Sequence, residues 1–184
     1  MGIALAEECA FRGAEVELIC GPVIIKTSHP NIHRTDVESA AQMYQAATEA
    51  FPGTDAAILC AAVADFTPAT IAGNKIKREG NKLTLELAPT KDIAQALGQM
   101  KEKNQVMVGF ALETNDEENH AREKLQKKNL DFIVLNSLQD EGAGFQHNTN
   151  KVTLIDKKGE TKFPLKSKKE VARDIINKLV SIIK

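Results

Sequence analysis

No apolar run in this sequence approaches the ~18 residues that a membrane-spanning helix needs, which excludes the bilayer as a partner. The opening Met1-Gly2-Ile3-Ala4-Leu5-Ala6-Glu7-Glu8 is interrupted by acidic residues before an apolar region develops, so it does not read as a secretory signal. An excess of charge is missing too. The 24 basic and 25 acidic side chains give a net charge of −1, which removes any chain-wide attraction to nucleic acid or an anionic membrane. A polyanionic ligand must then be held by a local cluster of cations. The cysteines are few, Cys9, Cys20 and Cys60, odd in number and without a Cys-x-x-Cys pair. They read as buried free thiols in a reducing cytoplasm rather than as a disulfide or metal framework.

Several catalytic signatures are also lacking. No Gly-x-Gly-x-x-Gly opens a helix after a strand, since Gly142-Ala143-Gly144-Phe145 lies in a loop, and there is no P-loop. His29 and His33 are four apart, but Pro30 between them precludes a regular helix, and no acidic or cysteine neighbour in sequence completes a metal site. No Ser-His-Asp or Cys-His grouping can be assembled. Repeats, low-complexity stretches and linkers are absent, and 184 residues at 42% hydrophobic fit one domain with a real core.

What is present is an alternation of helices and short buried strands. The pattern predicts a helix over 2–12, a strand over 14–20 ended by Gly21-Pro22, and a helix over 37–50 with Asp36 as its N-cap. Residues 56–63 and 106–111 are apolar throughout, as parallel strands covered on both faces are, and 131–136 forms another buried strand. Helices are expected near 91–101 and over 115–129, the latter capped by Asn115, with acidic residues 116–118 in its first turn and Lys127 and Lys128 in its last. A hairpin pattern over 151–165 and a helix over 168–183 close the chain. The fold class is α/β: a Rossmann-like, doubly wound, mostly parallel sheet with a C-terminal antiparallel hairpin and a basic flap. Such folds open on a strand. This chain opens on a helix, which predicts a single domain over 1–184 whose natural protein continues N-terminally.

In open parallel sheets, ligands bind beyond the carboxyl ends of the strands. Three such ends are polar here: Ala64-Asp65, Glu113-Thr114-Asn115 and Asn136-Ser137. Ordinary capping and turn residues gather at strand ends as well, so this convergence alone leaves both readings open. The stretch from Gly73 to Lys82 is basic and bounded by glycine, and it precedes the alternating Leu83-Thr84-Leu85-Glu86-Leu87. It reads either as a hairpin flap folding over phosphates beside Asp65 or as a solvated basic turn. Lys124 and Lys128, spaced i, i+4 beside the apolar Ala121 and Leu125, share a helix face and lean toward a cleft or toward solvent.

Taken in order, Ala61-Ala62-Val63-Ala64-Asp65-Phe66, Lys75-Ile76-Lys77-Arg78 and Val108-Gly109-Phe110-Ala111-Leu112-Glu113-Thr114-Asn115 resemble bacterial phosphopantothenate–cysteine ligase. The likeness runs the length of the chain. That ligase is usually the C-terminal half of a flavoprotein whose N-terminal half decarboxylates the product. The resemblance implies that Leu59, Cys60, Ala61 and Asp65 form one wall of a nucleotide site, and that Lys75, first lysine of the flap, binds the triphosphate and acts in catalysis. Arg78 stands where the family commonly has lysine. By the same resemblance the segment Thr90, Lys91, Asp92, Ile93 and Ala94 lines the nucleotide, although Lys91 replaces the family's proline. Phe110, Lys124 and Lys128 match the family's site phenylalanine and two helix lysines. An Asn-His-Ser-Ser-Gly-Lys stretch that precedes Met-Gly in the family is not within these residues.

The implied reaction joins 4′-phosphopantothenate to cysteine in coenzyme A synthesis. The resemblance implies CTP as co-substrate, an acyl-cytidylate intermediate and Mg²⁺ with unassigned ligands. It implies no flavin in this segment, a cytoplasmic homodimer, and fusion to or association with a flavin-dependent decarboxylase domain. Two rivals stand beside it. One is a Rossmann-type NAD(P) oxidoreductase with its glycine fingerprint upstream; the other is a regulatory or assembly subunit that keeps the nucleotide pocket.

Overall fold

A computed structural model describes residues 1–78, 82–113, 117–137 and 148–183, and statements of absence below concern these. Three parallel strands make its centre: β3 (Ala56–Leu59), β6 (Val106–Glu113) and β7 (Phe132–Ser137). β3 pairs with β6 and β6 with β7, all parallel. On the far side of β7 the sheet turns antiparallel through β9 (Val152–Asp156) and β10 (Glu160–Lys162), giving the order β10-β9-β7-β6-β3. The hairpin expected near the C-terminus is therefore part of the main sheet. Its turn is closed by Asp156, whose carboxylate accepts the Lys158 and Gly159 backbone N–H groups at 2.7 and 3.0 Å.

Alternation of side chains across the strands builds two cores. Val106, Val108, Phe132, Val134, Val152 and Leu154 face α1 (Gly2–Phe11) and α5 (Lys168–Ile182). Met107, Ala111, Ile133, Leu135 and Ile155 face α3 (Ile93–Met100) and α4 (Glu117–Lys127). α5 contributes the stripe Val171, Ala172, Ile175, Ile176 and Leu179, all buried, and Ser167 caps it in a reciprocal box with Glu170.

Four expectations need correction. The second helix, α2, runs Ala40–Ala50 and is capped by Ser39, which forms a reciprocal box with Gln42. Asp36 does not cap it. That residue ends β2 (Ile32–Asp36), a strand parallel to β1 (Val16–Cys20) in a separate two-stranded sheet. β3 stops at Leu59 and lies at one end of the five-stranded order, where its residues are only half-buried, although Ala56 and Ile58 pack on one core and Ala57 and Leu59 on the other. The alternation over 83–87 does not form a strand either. Only Leu87 joins β5 (Leu87–Pro89), which pairs antiparallel with β4 (Phe66–Pro68). Of the thiols, Cys20 is buried, whereas Cys9 and Cys60 are half-buried; all three are free. Asn115 and the Gly142–Phe145 stretch lie outside the described residues.

Candidate functional site

β3, β6 and β7 are parallel, so their carboxyl ends open on the same edge of the sheet. Pairing of Leu59 with Gly109 fixes the register there. Gly109 packs closely against Leu130: a Cβ at this position would stand 2.5 Å from Leu130 Cδ1, so that side chain would have to shift. Residues expected at the site approach this edge from both faces. Cys60 and Phe110 pack on the core beneath α1 and α5, and Leu59 and Ile93 pack on the core beneath α3 and α4. Burial raises the Cys60 thiol above its ordinary pKa, although the Gly2 backbone N–H and Lys168 oppose the shift. That shift disfavours the thiolate form of Cys60.

Beyond β3, Ala61 and Asp65 are exposed. The backbone carbonyl of Asp65 accepts the Thr90 N–H at 2.9 Å, and the Thr90 hydroxyl donates to the Ala64 carbonyl at 2.7 Å. Two segments distant in sequence, 64–65 and 90–94, are fastened together by these bonds. Asp92 then caps α3, its Oδ1 accepting the Gln95 N–H at 3.0 Å. Lys128 Nζ lies 3.1 Å from the other oxygen. Partial burial works against the Asp92 charge, but the Gln95 N–H, Lys128 and the Ala94 N–H outweigh it and hold the carboxyl below its usual pKa. Lys91 turns away from this cluster, its ammonium 4.7 Å from the centre of the Tyr44 ring. Ala94, in the first turn of α3, is half-buried.

Lys128 is held in place by the chain around it. Gly98 lies so close to α4's end that a Cβ would meet the Lys128 carbonyl oxygen at 2.3 Å. Asn129 follows with φ of 51°, a left-handed conformation that Asn tolerates, and its amide donates to the Gly98 carbonyl at 3.0 Å. Lys101 donates to the Asn129 carbonyl at 3.2 Å and to the Asp131 carboxylate at 2.7 Å, while that carboxylate also accepts the Met107 N–H at 2.6 Å. Lys124 sits one turn before Lys128, half-buried beside the buried Ala121 and Leu125.

The structure therefore brings Asp65, Thr90, Asp92, Ile93 and Lys128 into one neighbourhood. Lys75 stands apart. It is exposed among residues 71–78, which follow β4 without regular structure, whereas residues 79–81 of the expected flap lie outside the described residues; no hydrogen bond or ion pair among the described residues ties Lys75 to the cluster. The resemblance included Thr90 in the 90–94 segment, but nothing local marks its bond to a residue 26 positions away. Asn136 belongs to the same edge: the polar end of β7 pointed to it, and its register partner Leu112 lies two residues beyond Phe110.

No group of three His, Cys, Asp or Glu among the described residues could hold a metal ion. An Asp92 or Asp65 carboxylate with phosphate oxygens would suit Mg²⁺, which takes one or two protein carboxylates and keeps its waters. The histidines diverge. His29 Nδ1 accepts the Asn31 N–H at 3.2 Å, and His33 Nε2 lies 3.3 Å from Glu15, an acidic partner the local sequence did not reveal. No described helix is long and apolar enough to cross a membrane.

A family model for the DNA/pantothenate metabolism flavoprotein C-terminal domain matches residues 1–183. A cysteine/cysteine sulfinic acid decarboxylase from an unknown prokaryotic organism is 56% identical over 184 residues, covering 100% of this chain and 51% of the relative. The coenzyme A biosynthesis bifunctional protein CoaBC of Bacillus subtilis is 43% identical over 185 residues, covering 100% of this chain and 45% of the relative. Among solved structures, the C-terminal domain of a coenzyme A biosynthesis bifunctional protein CoaBC superposes with a TM-score of 0.80 at 35% identity, covering 97% of this chain and 79% of that one. The chain spans about half the length of these two curated relatives.

Proposed function

The chain belongs to the family of the DNA/pantothenate metabolism flavoprotein C-terminal domain, and from that membership we propose that it ligates 4′-phosphopantothenate to cysteine in coenzyme A biosynthesis. CTP supplies the activation. The substrate carboxylate attacks the α-phosphorus, pyrophosphate leaves, and the amine of cysteine then displaces the nucleotide monophosphate to form the amide. The observation that carries this reading is the joining of residues 64–65, the 90–94 segment and Lys128 beside parallel strand ends.

Each group has a physical task in this reading. The Asp65 and Thr90–Ala94 backbone shapes a wall for the nucleotide. Phe110 supplies an apolar surface on the opposite face. Lys124, Lys128 and Lys75 offset phosphate charge, which builds on the departing pyrophosphate. Mg²⁺, carried with the triphosphate, would meet Asp65 or Asp92. The protein acts in the cytoplasm, as a homodimer, beside a flavin-dependent decarboxylase half.

Pyrophosphate release by the intact protein tests this directly. Supplied with CTP and Mg²⁺, it should release pyrophosphate only when phosphopantothenate is present and form the amide only when cysteine is added. Release indifferent to phosphopantothenate would refute the assignment.

The 56% identical relative favours a second reading, because its name specifies decarboxylation of cysteine or cysteine sulfinic acid. In that case the chain is a nucleotide-binding companion of a decarboxylase and performs no ligation. Tight CTP binding without phosphopantothenate-dependent pyrophosphate would favour this alternative.

A further inference from the structure

Two polar side chains are buried among the described residues, Gln105 and Asn150, at 4% and 3% exposure. Gln105 is accounted for by structure alone. Its amide donates to the Phe51 and Thr54 carbonyls at 2.9 and 2.8 Å and accepts the Glu102 N–H at 2.9 Å, stapling the entry to β6. Asn150 differs, because its outward partner is another side chain. It sits in β8 (Thr149–Asn150), held antiparallel to β11 (Lys166–Ser167) at the start of α5, and reaches Asn136 at the carboxyl end of β7.

The polarity of this contact is determined by the backbone. Asn150 Oδ1 lies 3.1 Å from the Lys151 backbone N–H, which can only donate. The oxygen of the Asn150 amide is thereby fixed, and its Nδ2 must be the atom facing Asn136. At 3.1 Å that Nδ2 meets Asn136 Oδ1. The NH₂ of Asn136 is consequently turned away from Asn150. Asn136 is half-buried on the same sheet face as Val134 and Phe110, and its register partner Leu112 lies two pairs beyond Phe110 toward the open edge. An amide free to rotate would present oxygen or nitrogen there. This one presents a donor.

We propose that Asn150 is a positioning residue that locks the Asn136 side chain with its NH₂ toward the open edge, so that Asn136 donates to an acceptor atom of the nucleotide or of the acyl substrate. The identity of the occupant rests on the ligase reading above; the lock itself rests on the two amide contacts. A donor at this point selects ligands bearing a lone pair there and rejects those bearing N–H, since opposed donors leave a desolvated group unpaired.

Titrating the intact protein separately with CTP and with phosphopantothenate, by calorimetry, tests the lock and identifies the ligand. Asn136→Ala should weaken one of the two by about tenfold, the scale of one hydrogen bond. Asn150→Ala should weaken the same ligand by about threefold to fivefold, and should add nothing in the Asn136→Ala background, although it lowers the melting temperature in both. Asn150→Asp keeps the shape and the acceptor for Lys151 but replaces the donor by an acceptor, so Asn136 turns over. It should weaken that ligand more than Asn150→Ala does, and it carries the test if the alanine variant fails to fold. Equal losses from Asn150→Ala with and without Asn136 would overturn the lock, as would unchanged affinities, while wild-type binding leaves the ligase reading standing. A wild-type protein that binds neither ligand overturns both.

Discussion

Lys128 Nζ lies 3.1 Å from the carboxylate of Asp92, the residue that caps α3, so a lysine expected to meet phosphate already has a protein partner. Their side chains are 26% and 40% exposed. At that exposure the pair contributes only about 0–1 kcal/mol to stability. A triphosphate can therefore compete for the ammonium at small cost. Lys128→Ala should raise the CTP dissociation constant with a fall in melting temperature of a few degrees at most. Adding Lys124→Ala should raise it further. Asn caps helices as well as Asp does, so Asp92→Asn should keep α3 intact, free Lys128 and tighten the binding of CTP measured without Mg²⁺. Unchanged affinity in all three variants would remove these lysines from the site.

The Asp92 carboxyl has its folded pKa lowered by hydrogen bonds and Lys128, against the opposing effect of burial. A lowered folded pKa means stability that is fully present above the unfolded pKa of about 3.9 and is lost as pH falls through the folded value. Wild-type and Asp92→Asn proteins should therefore converge in stability on acidification below about pH 4. Urea melts at pH 7 and pH 3 measure the difference. A gap that stays constant between the two would exclude the carboxylate as its source.

Gly98→Ala offers a test of the α3–α4 contact. Alanine is the better helix former by ~1 kcal/mol, yet its Cβ would stand 2.3 Å from the Lys128 carbonyl oxygen and 2.9 Å from its carbon. Both obstacles are backbone and cannot rotate away. The variant should lose about 1–3 kcal/mol in a denaturant melt and bind CTP more weakly, because Lys128 moves with its backbone. A stabilised variant would mean that the two segments separate readily.

Lys75 is exposed and outside the cluster. Lys75→Ala should leave the melting temperature unchanged and slow acyl-nucleotide formation by roughly a hundredfold, about 3 kcal/mol, the typical loss of one stabiliser of developing charge. Single-turnover rates equal to wild type would assign Lys75 to solvent.

The central strands were legible because β6 and β7 are continuous apolar runs bounded by polar ends, a pattern that only two-sided burial explains. α5 was legible from its periodic stripe. By contrast β2 reads Ile-His-Arg-Thr-Asp, mostly exposed and held by pairing with β1, so no apolar signal announced it. The cap of α2 was misplaced because Asp36 and Ser39 are both good caps and only Ser39 has Gln42 three residues on. At the site, sequence and resemblance indicated which residues to examine but not their mutual geometry. Nothing local shows that Lys128 closes on Asp92, which depends on how α3 and α4 pack, or that Thr90 fastens Ala64, which depends on the pairing of β4 with β5.

The mixed sheet also has a consequence for how the chain folds. From β6 onward each strand of the five-stranded order except β6 itself pairs with one close behind it in sequence: β7 with β6, β9 with β7, β10 with β9. β3 instead meets β6 only after the chain has passed through β4, β5 and α3. Closing that longer excursion costs more chain entropy, so the order of assembly should run from residues 106–182 outward, with β3 added late. Truncating Ile58 to valine should accordingly speed unfolding while leaving the refolding rate almost unchanged, whereas Val134→Ala should retard refolding. The edge where Leu59 meets Gly109 would then be the last part of the sheet to close and the first to open, which ties the lifetime of the candidate site to the kinetics of a four-residue strand.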